Sequence, residues 1–444
     1  MKKMVKMISF GLLSLSLCAC GNTQANTKQN TSQMNRSQTK KVELGSRVKK
    51  DKDSPTGYTV SFSYQPKSDK KIKKVSVVGP FNYIDPSKDV SEKGNAYTPT
   101  QYKNGYYPTI FAPSKGGDGL TYKAEMKYDK NTNTYNVSFP ITSGVFNYSY
   151  EVQYEKGKPQ LIPDPANPSA ATKNKQSDFQ TSDNEKSLVY GRYDANKQSK
   201  SLDMDYVNPV KVNVGKISYV EYQGNLSDHQ DLGIYLPHDY DPNRTEPYKV
   251  VYLSHGGGGN ETDWFGSGSV GNILDNLKLD YIAVTMDNSS YKWDFKKIED
   301  NVINYIIPYM EKNYHVSKKS EDRAFCGLSM GAMTTMNMFF DHPESFGYFG
   351  SFSGTDMPAV KESEGIKQPT YYMTVGTTDM ASEKILPNDD DTKKKKYEDF
   401  IIWEKEHPLP NFIAGGYIQG GHDWFTWTQS FKNFISDICW QENK

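Results

Sequence analysis

The run Gly327-Leu328-Ser329-Met330-Gly331 stands between two apolar segments of the chain. Residues 323–326 before it predict a short buried strand, and residues 332–340 after it predict a helix. A glycine-flanked serine between a strand and a helix is typical of a nucleophile elbow, whose tight turn exposes the serine hydroxyl. The helix would begin just after Ser329, so its free N–H groups would face an oxygen that becomes negative during acyl transfer. The five residues alone also fit a glycine-rich turn with an incidental serine.

The region from about residue 206 to residue 444 predicts an α/β fold. Strand patterns alternate with helical segments, and the strands are expected at residues 249–254, 281–286, 323–326, 348–353, 370–375 and 412–418. This alternation favours a mainly parallel sheet, whose active site gathers at the carboxyl ends of the strands. A helix is expected at residues 297–313, although Pro308 interrupts its pattern.

A second glycine-rich turn, His255-Gly256-Gly257-Gly258-Gly259, directly follows a predicted strand. Such a turn can bring a backbone N–H to the reaction centre without obstruction by side chains. We expect the N–H groups of Gly257 and Met330 to form an oxyanion hole. The alternative is a phosphate-binding loop, but the turn lacks the lysine and the Ser/Thr of a P-loop.

The remaining two catalytic candidates also follow predicted strands. Asp379 lies just past the strand at residues 370–375, and His422 follows the last strand between glycines and an aspartate. An acid that fixes the tautomer of a histidine and a histidine that activates a serine make up a catalytic triad. The chain order Ser329, Asp379, His422 is that of α/β-hydrolases. Asp356 and Asp423 are the competing acids, and none of these roles calls for a metal or a cofactor.

The first 20 residues have the pattern of an export signal. Three lysines lie within the first six residues, and the apolar run at 8–17 is too short to span a bilayer. Residues 17–21 (LCACG) resemble a bacterial lipobox with Cys20 as the lipidated residue. Lipidation predicts a protein anchored at the extracellular face of a bacterial membrane. The alternative is an ordinary secretory signal with a chance cysteine.

Three further segments complete the predicted domain organisation. Residues 21–55 are polar and predict a disordered tether, and residues 166–205 predict a linker. Residues 56–165 contain short alternating strands at regular spacing, which favours an immunoglobulin-like β-sandwich. All six tryptophans lie beyond residue 260, so glycan binding and a purely structural role of the sandwich both stay open.

Charge and cysteine content exclude some classes of function. The chain has 53 basic and 53 acidic side chains, and this balance gives no basic footprint for a nucleic-acid partner. Two of the four cysteines belong to the predicted signal. Cys326 and Cys439 remain, and they are either free thiols or a single disulfide.

The stretch from about 215 to 435 resembles the bacterial feruloyl and acetylxylan esterases of carbohydrate esterase family 1. The matching segments are residues 255–264 (HGGGGNETDW), 306–314 (IIPYMEKNY), 327–331 (GLSMG), 376–379 (GTTD) and 419–424 (QGGHDW). The predicted sandwich resembles the family 48 carbohydrate-binding modules, through residues 78–82 (VGPFN), 135–140 (YNVSFP), 144–150 (GVFNYSY) and 162–168 (IPDPANP).

The resemblance implies a serine esterase that hydrolyses acyl esters on plant xylan. Asp263, Trp264, Trp424 and Trp427 are candidates for lining its cleft, or they pack at the rim. We expect feruloyl esters of arabinoxylan to be preferred, because a tryptophan close to His422 would hold a flat aryl group. The alternatives are an acetylxylan esterase, another serine ester hydrolase such as a thioesterase or siderophore esterase, an acyltransferase, or a non-catalytic glycan-binding surface protein.

Overall fold

The computed structural model describes residues 42–67, 71–88, 94–109, 121–168, 186–354, 368–385, 394–396 and 412–441. From Glu43 onward the chain forms one compact unit, which contains a β-rich N-terminal region and a larger α/β region. The predicted signal at 1–20, Cys20 and Asp356 lie outside the described residues. Within the described residues, no helix combines the length and the apolar character that crossing a bilayer requires.

The N-terminal region consists of antiparallel strands. They are β1 (Gly45–Lys50), β2 (Tyr58–Tyr64), β3 (Ile72–Gly79), β4 (Tyr83–Ile84), β5 (Tyr107–Pro108), β6 (Tyr122–Glu125), β7 (Lys127–Asp129), β8 (Thr134–Pro140), β9 (Gly144–Tyr154), β10 (Gln160–Ile162) and β11 (Ser187–Gly191). One sheet has the order β1-β2-β8-β7, and a second has the order β10-β9-β3-β6 with β11 also paired to β9. Apolar side chains of both sheets share one core, which includes Phe62, Val77 and Phe139. The immunoglobulin-like and carbohydrate-binding-module assignments stay predictions.

Two predicted boundaries are wrong. Strand β1 pairs along its whole length with β2, although it lies within the predicted tether. Strand β11 pairs with β9, and Leu202 is fully buried, although both lie within the predicted linker. Strand β1 pairs through its backbone although its sequence is mostly polar, whereas β11 is a short apolar segment whose Val189 is buried in the core of the N-terminal region.

The α/β region is built on an eight-stranded sheet of order β12-β13-β15-β14-β16-β17-β18-β21. Its strands are β12 (Lys216–Tyr222), β13 (Gln230–Leu236), β14 (Lys249–Ser254), β15 (Tyr281–Met286), β16 (Arg323–Leu328), β17 (Tyr348–Phe352), β18 (Thr370–Gly376) and β21 (Phe412–Ile418), and a separate hairpin joins β19 (Glu383–Ile385) to β20 (Lys394–Lys396). Every neighbouring pair from β15 to β21 is parallel, whereas β12 and β13 are antiparallel additions. The predicted mainly parallel sheet is therefore found here, while antiparallel pairing prevails in the N-terminal region.

Helices cover both faces of this sheet. They are α1 (Val270–Leu277), α2 (Phe295–Asn301), α3 (Ile307–Asn313), α4 (Met330–Asp341) and α5 (Trp424–Asn433). A π-helical turn at Val302–Ile306 joins α2 to α3 and places Pro308 in the first turn of α3. The helical backbone runs on through this turn, where Ile307 N–H donates to Val302 O, five residues back, instead of to the carbonyl four residues back. The apolar pattern of residues 297–313 thus predicted the helical segment, and the π turn accommodates its proline.

The two described cysteines are free thiols and fully buried. Cys326 lies in β16, and Cys439 follows a second π-helical turn at Phe434–Ile438. Burial raises the pKa of both thiols well above the usual value for cysteine. They act as small apolar residues in the core that the N-terminal and α/β regions share.

Candidate active site

Ser329 lies at the sharp turn between β16 and α4, where its backbone has φ 53° and ψ −114°. Residues other than glycine rarely adopt a positive φ, and tight packing enforces it here. A Cβ atom on Gly327 would lie 2.4 Å from the carbonyl oxygen of Gly331, and one on Gly331 would lie 2.3 Å from that of Ser254. The glycines of the motif are therefore required by close approach of the backbone, as the elbow predicts.

His422 contacts both other predicted members of the triad. Its Nε2 lies 2.9 Å from Ser329 Oγ, and its Nδ1 lies 2.9 Å from Asp379 Oδ1. The side chain of Asp379 is fully buried, whereas that of His422 is 12% exposed. The three residues come from turns after β16, β18 and β21, so the sheet brings together side chains that are far apart in sequence.

Asp379 is held as a carboxylate. Burial alone would raise its pKa, but hydrogen bonds from His422, the Ser353 hydroxyl and the Ala381 N–H hold the pKa below its usual value. An ionised Asp379 accepts a hydrogen bond from Nδ1–H of His422. This leaves Nε2 as the nitrogen that can accept the proton of Ser329.

Ser353 and Trp427 form a supporting pair beside Asp379; no motif marks Ser353 in the sequence, and Trp427 was predicted only as a cleft residue. The Ser353 hydroxyl donates to Asp379 Oδ2 at 2.5 Å and accepts from Trp427 Nε1–H at 2.9 Å. Ser353 has φ 60°, a strained value that points to a fixed position after β17. The indole of Trp427 also packs nearly perpendicular to the His422 ring, at 5.1 Å between centroids. Trp427 thus contacts the catalytic candidates from the interior.

The turn of the predicted oxyanion hole lies against the nucleophile. A Cβ on Gly256 would lie 3.4 Å from Ser329 Cβ. The fully buried His255 braces the turn, since its Nδ1–H donates to Gly256 O at 2.6 Å and its Nε2 accepts from Asn288 N–H at 2.8 Å. Burial lowers the pKa of His255, which fits a neutral ring in both roles. The oxyanion role of Gly257 and Met330 stays a prediction.

All four tentative cleft residues lie mainly in the interior. Trp264 has no exposed surface, donates from Nε1 to Ser254 O and packs edge-to-face on Trp424, so the prediction that it lines the cleft is wrong. Trp424 and Trp427 are 7% and 8% exposed. Asp263 is also buried, and its Oδ2 lies so close to Gly259 that a Cβ there would be 2.0 Å away. Tryptophan next to a site motif is often a packing residue, and sequence spacing does not distinguish the two roles.

The competing acid Asp423 has a different role from Asp379. Its Oδ1 accepts from the N–H groups of Phe425 and Thr426 and so caps α5. Asp379, by contrast, is the carboxylate bonded to His422.

Among the described residues, Trp293 is an exposed aromatic residue beside the site. Its side chain is 47% exposed, and a Cβ on Gly257 would lie 3.3 Å from its Cζ2. Lys292 and Trp293 both have positive φ values, 51° and 68°, which fixes the ring beside the oxyanion turn in a strained loop. Trp293 belongs to no recognised sequence motif. The one signal that could have identified it is a large aromatic residue between polar residues.

The part of the chain that carries these residues is similar to known proteins. Residues 225–437 match a family model described as putative esterase. An endo-1,4-beta-xylanase/feruloyl esterase of Xylanibacter ruminicola is 29% identical over 269 residues, which are 56% of this chain and 35% of that protein. Endo-1,4-beta-xylanase Y of Acetivibrio thermocellus is 28% identical over 179 residues, 37% of this chain and 16% of that protein.

Among solved structures, the feruloyl esterase module from Clostridium thermocellum complexed with sinapinate is 22% identical. It matches 54% of this chain and 95% of that module with a TM-score of 0.42. The chain spans about a third or less of the length of the two curated relatives named above. Residues 225–437, which carry Ser329, Asp379 and His422, are therefore similar to an esterase domain.

Proposed function

We propose that the protein is a serine esterase that removes feruloyl groups from plant xylan or arabinoxylan. The observation that carries the proposal is the hydrogen-bonded series Ser329–His422–Asp379 within residues 225–437. The named feruloyl esterase activity of the Xylanibacter relative supports the substrate class. Acetylxylan is the alternative substrate, since an acyl-enzyme mechanism does not itself select the acyl group.

In the proposed mechanism, Ser329 Oγ bonds to the ester carbonyl carbon while its proton passes to Nε2 of His422. Asp379 holds the ring in the required tautomer and stabilises the imidazolium. The N–H groups of Gly257 and Met330 stabilise the oxyanion. The C–O bond to the sugar then breaks, and the leaving oxygen takes the proton from Nε2. Water repeats the steps on the acyl-enzyme and releases the acid.

The position of Trp293 favours a substrate with an aryl acyl group. Its exposed ring lies beside the turn that would hold the ester carbonyl oxygen. Burying an aromatic ring against such a surface is worth about 25 cal/mol per Å² of apolar area, from which an acetyl group gains much less. Trp424 and Trp427, the tryptophans close to His422 that were expected to hold the aryl group, are largely buried.

The deciding experiment compares methyl ferulate, p-nitrophenyl acetate and acetylated xylan as substrates of purified enzyme, with Ser329→Ala as control. We expect hydrolysis of methyl ferulate with the highest kcat/KM, and none by the variant. An enzyme that deacetylates xylan and leaves methyl ferulate untouched would establish the acetylxylan alternative. No hydrolysis of any ester would contradict the proposal as a whole.

We also propose that the protein is exported and anchored through a lipidated Cys20. The lipobox-like residues 17–21 support this proposal. Wild-type protein should partition with membranes, and Cys20→Ser should release it or block its processing. Soluble wild-type protein with an unmodified Cys20 would contradict the anchor.

A further inference from the structure

The N-terminal region contacts both loops that carry His422 and Asp379. The contact is made by strand β5 and the residue after it, Thr109. Tyr107 of β5 is fully buried, and its ring lies nearly parallel to that of Phe425 in α5, at 6.2 Å and 14°. Tyr107 and Phe425 belong to one continuous core, so the two regions are packed together at this point.

Thr109 binds the residue that follows His422. Its hydroxyl donates to Asp423 Oδ2 at 2.6 Å, and both side chains are buried. The other oxygen of Asp423 caps α5. The backbone at His422 is therefore held on one side by the helix and on the other side by the N-terminal region.

Tyr107 binds the residue that precedes Asp379. Its hydroxyl donates to Thr378 Oγ1 at 3.2 Å. The hydroxyl and the N–H of Thr378 both donate to Gly420 O at 2.9 Å. The loops of Asp379 and His422 are thus bonded to each other, and the N-terminal region is bonded to both.

We propose that Thr109 and Tyr107 are positioning residues of the active site, and that the N-terminal region has a direct role in turnover. They act through Asp423 and Thr378, each adjacent in sequence to a member of the triad. The inference rests on the proposed serine-esterase function. Because a misplacement of about 1 Å can cost roughly 100-fold in rate, loss of these contacts should lower kcat. Substrate binding is not involved, so KM should change little.

Turnover of a small soluble ester separates this role from glycan binding. A module that only brings the enzyme to its polymer changes the hydrolysis of xylan and leaves p-nitrophenyl acetate unaffected. A positioning role changes both substrates alike, since the triad is common to them.

The test compares Thr109→Val and Tyr107→Phe with Thr109→Ser, using p-nitrophenyl acetate. We expect kcat to fall about tenfold or more in the first two variants with KM within about twofold of wild type, and Thr109→Ser to keep most activity. Thr134→Val and Tyr83→Phe are matched controls, because each removes a buried hydroxyl bonded within the N-terminal region. The controls should keep wild-type kcat, and thermal melting should show all five variants folded.

Unchanged kcat in Thr109→Val and Tyr107→Phe would overturn the inference. An equal fall in Thr109→Ser or in the controls would also overturn it, since the specific hydroxyls would not then be responsible. If Thr109→Val fails to fold, Tyr107→Phe still decides.

The rate at which a fluorophosphonate labels Ser329 keeps this test separate from that of the proposed function. Labelling requires an activated serine but no carboxylic ester. We expect it to be slower in Thr109→Val than in Thr109→Ser, even for an enzyme that hydrolyses none of the tested esters. Equal labelling rates in the two variants would contradict the inference alone.

Discussion

At the scale of single residues, Ser329 is the nucleophile of the proposed mechanism. Ser329→Ala should lower kcat by roughly 10⁴-fold or more, because no other group in the mechanism can form the acyl-enzyme. The rate of ester hydrolysis by purified protein measures the change. Ser345→Ala serves as a control, because the Ser345 hydroxyl bonds to the neighbouring Glu344 and has no role in the mechanism. Near wild-type turnover by folded Ser329→Ala would exclude Ser329 as the nucleophile.

The two carboxylates beside His422 should differ in their effects. Asp379→Asn should cost about 10²–10⁴-fold in kcat, because the amide can leave His422 in the wrong tautomer. Asp423→Asn keeps acceptor capacity at the start of α5 and should cost much less. Kinetics of both variants on one ester decide between them, and a larger loss in Asp423→Asn would reverse the assignment.

Trp293 is the residue on which acyl preference depends. Trp293→Ala should lower kcat/KM for methyl ferulate about tenfold or more, which corresponds to about 1.4 kcal/mol of lost contact with the ring. Turnover of p-nitrophenyl acetate should fall less. Parallel assays on the two esters measure the ratio, and an unchanged ratio would show that the aryl group lies elsewhere.

At the scale of elements, β1 tests the correction to the predicted tether. Removing residues 43–50 deletes a strand with six paired residues and exposes the edge of β2. We expect a loss of at least ~1 kcal/mol, which lowers the melting temperature by about 2–4 °C for a domain of 150–250 residues. An unchanged melting temperature would restore the tether hypothesis for this segment.

Sequence patterns predicted the elements whose side chains alternate or recur at helical spacing. The strand before Ser329 and the helix after it are examples, and so are the turns that carry Asp379 and His422. Strand β1 was missed because its sequence, GSRVKK, is mostly polar and its pairing is a property of the backbone. Ser353 and Thr109 were missed because their partners are distant in sequence, and no local pattern reports such a hydrogen bond.

At the scale of the whole molecule, the shared core predicts that the α/β region depends on the N-terminal region for its stability. A chain shortened to residues 206–444 would expose apolar side chains that now face β4 and β5, among them Phe425. Exposed apolar patches of this kind promote aggregation. Light scattering and binding of a hydrophobic dye should both rise relative to the full chain. A monomeric, fully active fragment would contradict this prediction and the positioning role together.

The shared interior also has a consequence for how such a chain can evolve. A domain joined to its neighbour by a loose linker can be exchanged by recombination as an independent cassette. Here the ring of Tyr107 and the ring of Phe425 complete one another's packing, and Thr109 completes the hydrogen bonds of Asp423. A foreign domain placed before residue 206 would have to supply those groups at once. The two regions are therefore expected to be inherited as a pair and to accept substitutions at their contact in a coordinated way.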